Sequence, residues 1–347
     1  MIVADLEAAR AVAEEEPRAG ARGRPGRPVA LRGDRFVSLG LELNVDYVSA
    51  VVLDLAGRTR LAETRAATTS TDLDGLLAIA RDALAQGADG CTVLGAGVAV
   101  PALVRGDDRT VAWAPNLRAG AEGASLARAL DDLLPGVRVG VSNDANCAAY
   151  AEAHHGAATG VDHALYLTGT VGIGAGIVQD GEVMRGAAGF AGEVGHMPIG
   201  DSTATCGCGR RGCWEASVGL HAMLAAVGMP ELDTPLRSAE AVAARAAADP
   251  AVRAGLERVG RDLGLGIAML SSVLDPEVVV LGGYFAPLGD LVLDPARRTL
   301  DERLASAAQV RPELRLSSLG TGAAALGAAE LALGPVLAGE RDLTGPG

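Results

Sequence analysis

FVSLGLELNVDYVSAVVLDLAGRTR, residues 36–60, carries the pattern that decides the fold. Runs of Val, Leu and Ala on either side of a turn at Val45-Asp46 predict paired strands, and the Gly-containing turn that ends the second run suits a hairpin. Downstream the periodicity alternates: helical over Asp72 to Gln86, a strand over CTVLGAGVAV (91–100), helical near Ala124 to Leu134, a strand over VRVGVSN (137–143), then a helix opening on Asp144. HALYLTGTVGIGAGIV (163–178) repeats the opening, a strand entering a Gly-rich hairpin. A loop-rich stretch to Gly212 follows, then a helical C-terminal half with one strand, EVVVLGG (277–283), and a closing small-residue helix, TGAAALGAAELAL (321–333). Two similar openings predict an α/β fold with duplicated lobes, residues 36–142 with 320–336 and residues 143–319.

Composition agrees with two lobes. A chain of 347 residues exceeds what one hydrophobic core usually serves. Aromatics are 3% of the chain against 49% hydrophobic residues, so the cores must be built from Ala, Val, Leu and Ile. A net charge of −13 repels a phosphate polyanion, so any nucleic-acid role needs basic groups gathered in one place. No apolar run reads as membrane-spanning, and the opening MIVADLEAAR lacks the basic-then-apolar layout of a signal peptide. A cytoplasmic protein with no membrane partner is the expectation. Three of the five cysteines fall within eight residues, which fits metal ligation in a reducing compartment rather than a disulfide framework.

Those three stand in CGCGRRGCWE, where Cys206, Cys208 and Cys213 can converge on one soft cation without a chain detour. His196, ten residues before Cys206 in GEVGHMPIG, supplies a fourth ligand and a closed, structural Cys3His zinc set. The alternative is a loop of free thiols with His196 as an ordinary packed histidine. Cys91, in an apolar strand, and Cys147, in a small-residue helix, read as packing residues.

GFAGEVGHMPIG followed by CGCGRRGCWE resembles the signature of the ROK (repressor, ORF, kinase) family, and the resemblance runs from Phe36 to Leu333. VSNDANCAAYAE (141–152), GAGVAVPALV (95–104) and VVVLGGYFA (278–286) resemble further segments of that family. The resemblance implies a two-lobed actin-like ATPase (ribonuclease H-like) fold with a zinc loop. It also implies that Asn143, Asp144, Glu193, His196 and Glu215 hold sugar hydroxyls in the interlobe cleft. Carboxylates and a carboxamide suit that task, because a missing hydroxyl would leave them unpaired. In a kinase of the family Asp144 would be the catalytic base toward a sugar hydroxyl. A plainer reading makes Asp144 a helix N-cap.

Kinases of this kind open with Asp-x-Gly-Gly-Thr, whose glycines let backbone amides approach phosphates. The matching positions here read Glu42, Leu43, Asn44, Val45, Asp46, and the second Gly-rich hairpin reads Thr170, Val171, Gly172, Ile173, Gly174. The expectation is therefore a sugar-responsive transcriptional regulator that holds structural zinc but neither ATP nor Mg2+. The rivals are an ATP-dependent sugar kinase, of glucokinase or N-acetylhexosamine kinase type, and a zinc-stabilised sugar-binding protein with neither activity.

Residues 1–35 resemble the tail of a winged helix-turn-helix, its wing and linker, so the chain is expected to open inside a DNA-reading element. Residues 2–14 have helical spacing, and Arg18, Arg22, Arg24 and Arg27 then form a basic cluster suited to phosphates or a minor groove. A solvated leader is the alternative. Partners expected on this reading are a sugar or sugar derivative, DNA for the longer form, and a second copy in a homodimer or dimer of dimers.

Overall fold

The computed structural model describes residues 2–15, 27–66, 73–114, 123–170, 172–304, 310–341 and 343; Arg18, Arg22, Arg24 and Val171 lie outside the described residues. The chain divides into two compact units, residues 1–147 with 324–347, and residues 148–323.

The first unit opens with helix α1 (Ile2–Ala8) and a two-stranded antiparallel sheet, β1 (Val12–Glu14) and β2 (Val29–Leu31). Helical spacing over residues 2–14 does not become one helix. Arg10 adopts the left-handed conformation at φ 61°, and the amide of Ala11 reaches back to the Leu6 carbonyl, which closes the helix end. Strand pairing with Val29–Leu31, invisible to local spacing, then claims Val12–Glu14.

Next come β3 (Phe36–Leu43), β4 (Tyr47–Asp54), β5 (Thr59–Ala66), α2 (Leu73–Gly87), β6 (Thr92–Val100), the short hairpin β7 (Leu103–Val104) and β8 (Val111–Trp113), α3 (Gly123–Leu133), β9 (Val139–Asn143) and α4 (Asp144–His155). Five of the strands form one sheet in the order β5-β4-β3-β6-β9. β3 pairs antiparallel with β4 and parallel with β6, and every one of its eight residues is buried. Outer strand β5 instead alternates exposed and half-buried positions, as an edge with one wet face should.

The second unit repeats this plan. It contains β10 (His163–Gly169), β11 (Ile173–Gln179), β12 (Glu182–Val183), α5 (Glu215–Val218), α6 (Leu220–Val227), α7 (Pro235–Ala246), α8 (Pro250–Leu274), β13 (Val278–Gly283), α9 (Phe285–Leu288), α10 (Asp290–Arg303) and β14 (Glu313–Leu316). Its sheet order is β12-β11-β10-β13-β14, so three antiparallel strands are again followed by two parallel ones, position for position as in the first unit. This is the duplicated actin-like fold. β14 is a second strand where the C-terminal half was expected to hold one; its four residues are too few to show a period of their own. Each unit has its own apolar core, one centred on Leu39, Val52 and Val98, the other on Leu167, Leu263 and Val279.

Closing helix α11 (Ala323–Leu337) returns to the first unit's sheet. A Cβ on Gly40 of β3 would stand 1.9 Å from the Ala325 carbonyl oxygen, so only glycine lets the helix lie this close. By length and composition Gly320–Leu337 could cross a membrane. Its Ala-rich face is spent on β3 and β6 instead: Ala325 and Ala329 are fully buried, and Gly97 abuts Ala328.

Candidate functional site

The knuckle is shaped by its backbone. Thr205 bridges Arg211, the Cys206 amide reaches the Arg210 carbonyl at 2.8 Å, and Gly209 and Gly212 take φ of 83° and 75°, where a side chain would be strained. Two further backbone bonds, Gly200 N to Gly212 O and Trp214 N to Met197 O, tie this loop to the segment carrying His196. Trp214 then anchors the loop in the core, 1% exposed, with its indole N–H on the Asp262 carbonyl at 2.9 Å.

The result brings His196, Cys206, Cys208 and Cys213 together, their ligand atoms all within 4.8 Å of one another. A tetrahedral zinc with metal–sulfur bonds of about 2.3 Å sets its sulfurs about 3.8 Å apart. Cys208 Sγ and Cys213 Sγ are 3.7 Å apart, and Cys206 Sγ is 3.8 Å from His196 Nδ1. The set fits a metal ion such as zinc in a closed, four-ligand site. The thiols differ in acidity: the Arg210 backbone amide draws Cys208 down to about 6, whereas burial pushes Cys206 up to about 12. A cation supplies the charge that burial of these thiolates lacks.

Glu215, the first residue of α5, leans on the same cluster. Its Oε1 accepts from the Cys206 thiol at 3.3 Å, and its Oε2 accepts from the Ile173 amide of β11 at 3.0 Å. Glu193 precedes the 3-10 turn Val194–His196. Its side chain reaches the surface, yet its carboxyl is held above the usual pKa, chiefly by desolvation; His196 opposes the shift and Glu215 adds to it. Glu193, His196 and Glu215 are thus electrostatic neighbours within the second unit.

Asn143 and Asp144 belong to the first unit, where β9 runs into α4. The helix cap is Asn143: its Oδ1 accepts the Asn146 amide at 3.1 Å while its Nδ2 donates to the Ala102 carbonyl. Asp144 is therefore the first helical residue and not the cap, 9% exposed, with Oδ1 on the Ala145 amide at 2.9 Å.

At the end of β3 lies a group that sequence reading treated only as a departure. Glu42 is 2% exposed and Asn44 likewise. Glu42 Oε1 accepts from Asn44 Nδ2 at 3.0 Å and from the Tyr47 hydroxyl at 2.9 Å. Burial pushes this carboxyl up to about 8, so at neutral pH it is mostly an acid and not a carboxylate. What fills the β3–β4 turn is interlocked side chains. No sequence signal marks it beyond Glu, Asn and Tyr at positions 42, 44 and 47.

The ROK family profile matches residues 38–334. This chain belongs to the ROK family. Among its ROK relatives, a xylose repressor from Caldicellulosiruptor bescii is 28% identical over 334 residues, covering 90% of this chain and 82% of that protein. The crystal structure of a ROK family transcriptional regulator, a homologue of the Escherichia coli MLC protein, superposes with a TM-score of 0.76 at 25% identity, over 94% of this chain and 86% of that one. A ROK family glucokinase from Streptomyces griseus, crystallised with glucose and AMPPNP, gives 0.71 at 28% identity, over 85% and 99%. Repressors and kinases stand about equally near, so likeness alone does not choose between them.

Of the four arginines read as DNA contacts in this ROK chain, Arg27 is the described one. It is exposed, and its guanidinium meets Glu14 Oε2 across the small N-terminal sheet at 2.7 Å.

Proposed function

We propose that this protein is the sugar-sensing body of a ROK transcriptional regulator, with zinc held by His196, Cys206, Cys208 and Cys213. A hexose or sugar derivative is bound through Asn143, Asp144, Glu193, His196 and Glu215. With Nδ1 of His196 turned to the thiols, Nε2 is the nitrogen left for a ligand hydroxyl. Zinc then acts indirectly, by fixing His196 and Glu215 through one rigid loop.

The observation that carries the regulator reading is the Glu42–Asn44–Tyr47 network. Of the two positions where a kinase has glycine, Asn44 is buried and bonded to Glu42, and Val45 carries a half-buried side chain. Opening them to ATP would strand a buried carboxyl and a buried carboxamide, at about 1–3 kcal/mol for each group left unpaired. DNA binding by the region around α1, β1 and β2, a homodimeric or higher two-fold state, and a cytoplasmic location complete the proposal. Ligand binding would bias the regulator only by its differential affinity for two conformations.

A kinase is the second reading, and Asp144 favours it: it is a mostly buried carboxyl at the start of α4, where Asn143 makes the cap bond. Calorimetry with D-xylose, D-glucose and N-acetyl-D-glucosamine, run with and without Mg-ATP and followed by an ADP-release assay, separates the two. Sugar binding with no ADP release supports the sensor; sugar-dependent ADP release abolished by Asp144→Asn replaces it with the kinase.

A further inference from the structure

Three Phe, two Trp and four Tyr are all the aromatic side chains of this chain. Phe36, Phe285, Tyr166, Tyr284 and Trp214 are buried, and Tyr47, Tyr150 and Phe190 are half-buried, whereas Trp113 is 48% exposed. Tryptophan joins a large apolar surface to a polar N–H at its rim, a combination suited to contact surfaces.

Its place in the fold is beside Asn143. Trp113 ends β8 and stands opposite Leu103 of β7. Leu103 follows Ala102, whose carbonyl accepts from Asn143 Nδ2 at 3.1 Å. Between Trp113 and Ala102 there is thus one strand pair, about 5 Å between Cα atoms, and one step along the chain, about 3.8 Å. Ala102 and Val104 are buried in the first unit's core, so alternation turns Leu103, and Trp113 across from it, to the other side of the hairpin. The turn of the hairpin is pinned as well. Asp108, at φ 57°, offers its carbonyl to the Val141 amide of β9 at 2.7 Å, and Arg109 meets Asp131 of α3 at 2.6 Å. An uncovered indole is therefore held on a fixed platform in the unit that contains Asn143 and Asp144.

We propose that Trp113 stacks on one C–H face of a bound pyranose whose hydroxyls are held by Asn143 and Asp144, which makes Trp113 a specificity-determining residue for cyclic sugars. This rests on the sugar role proposed for Asn143 and Asp144. A carboxamide and a carboxylate grip the hydroxyl rim of a sugar and leave the C–H faces of its ring to water. Ligand sites complete such polar anchors with apolar and aromatic walls. A flat indole covers a pyranose face, and the outward C–H groups meet the negative face of its ring system. An open-chain polyol carries the same hydroxyls with no fixed face, so Trp113 favours the ring form over it.

Two tryptophans make the test direct. Trp214 is 1% exposed, so iodide in solution quenches the fluorescence of Trp113 and spares that of Trp214. Saturating D-xylose or D-glucose should protect the wild type from iodide and move its emission to shorter wavelength. Trp113→Phe, left with Trp214 alone, should show neither change. In calorimetry the Kd for the same sugars should rise about tenfold or more in Trp113→Ala and by less in Trp113→Phe, with zinc content and melting temperature held. D-xylitol and D-glucitol should separate wild type from Trp113→Ala far less than the cyclic sugars do. Sugar heat with iodide quenching unaltered, or one Kd shared by wild type and Trp113→Ala, overturns the stacking and leaves the sensor function standing. Protection that follows protein concentration and not sugar also overturns it, since a second copy then covers the indole. Absence of heat from both sugars sinks the sensor function and the stacking together.

Discussion

Cys206 Sγ lies 3.3 Å from Oε1 of Glu215, and the Ile173 amide holds the other oxygen of that carboxylate at 3.0 Å. The Ile173 amide thus holds one side chain directly beside the metal cluster. Since Glu215 is in the set proposed to bind sugar, the order of the knuckle and the affinity of the protein become one question.

Replacing Cys208 with Ser removes the ligand whose thiolate forms most readily, the one drawn down to about 6. Zinc content by elemental analysis should drop from about one ion per chain to a small fraction of that, since a structural zinc contributes directly to folding free energy. The sugar Kd should rise at least tenfold, in line with the roughly 10- to 100-fold cost of disturbing groups around a metal site. Zinc-free protein that binds sugar as tightly as before would detach Glu215 and His196 from the knuckle.

Gly172 offers a cleaner probe of Glu215, because it leaves the metal ligands untouched. A Cβ there would stand 2.2 Å from Glu215 Oε2, so Gly172→Ala must push that carboxylate off its bond to Ile173. The expected outcome is a sugar affinity reduced about tenfold or more with zinc content intact and a melting temperature within a few degrees of the wild type. An unchanged Kd by calorimetry would remove Glu215 from the sugar set.

These contrasts also show what could be read from sequence. The knuckle was legible because its signal is local: three cysteines and the glycines among them close a loop by themselves, and His196 lies only ten residues away. The doubled sheet was legible because the hairpin rhythm near Phe36 recurs near His163. Failures came where a distant partner decides. Val12–Glu14 became a strand because Val29–Leu31 was there to pair with it, and β14 showed too little chain for a period. The helix does open on Asp144 as read, but the plainer alternative that made Asp144 its cap gives way to Asn143, a choice of one residue that depends on where β9 lets go. The protonated state of Glu42 was the least visible, since a glutamate at position 42 reads as a charge until its burial at the end of β3 is known.

That burial has a thermodynamic signature without any ligand. The Glu42 carboxyl is raised from its ordinary 4.5 to about 8, so the folded protein keeps a proton that the unfolded chain has released. Its stabilising contribution is complete below the ordinary value, declines as pH rises, and is gone above about 8. Glutamine is neutral throughout and keeps an oxygen for Asn44 and Tyr47. Chemical denaturation of Glu42→Gln and wild type should therefore show a gap that widens in favour of the variant from about pH 5 to about pH 8, by up to about 1.4 kcal/mol per pH unit, then levels off. A gap that stays constant with pH would mean that Glu42 is ionised in the fold.

Asn143 has two jobs that substitution can separate. As cap it accepts the Asn146 amide, and as carboxamide it donates to Ala102 and is proposed to meet a sugar hydroxyl. Serine can perform the first job and not the second; alanine can perform neither. Asn143→Ala should be about 1 kcal/mol less stable than Asn143→Ser, a difference of roughly 2–4 °C in melting temperature for a unit of this size. If the carboxamide touches sugar, both variants lose affinity alike, by about tenfold or more, because both lack the donor. If affinity instead follows stability, with Asn143→Ser close to wild type and Asn143→Ala impaired, Asn143 serves the sugar only by holding α4, and with it Asp144, in place.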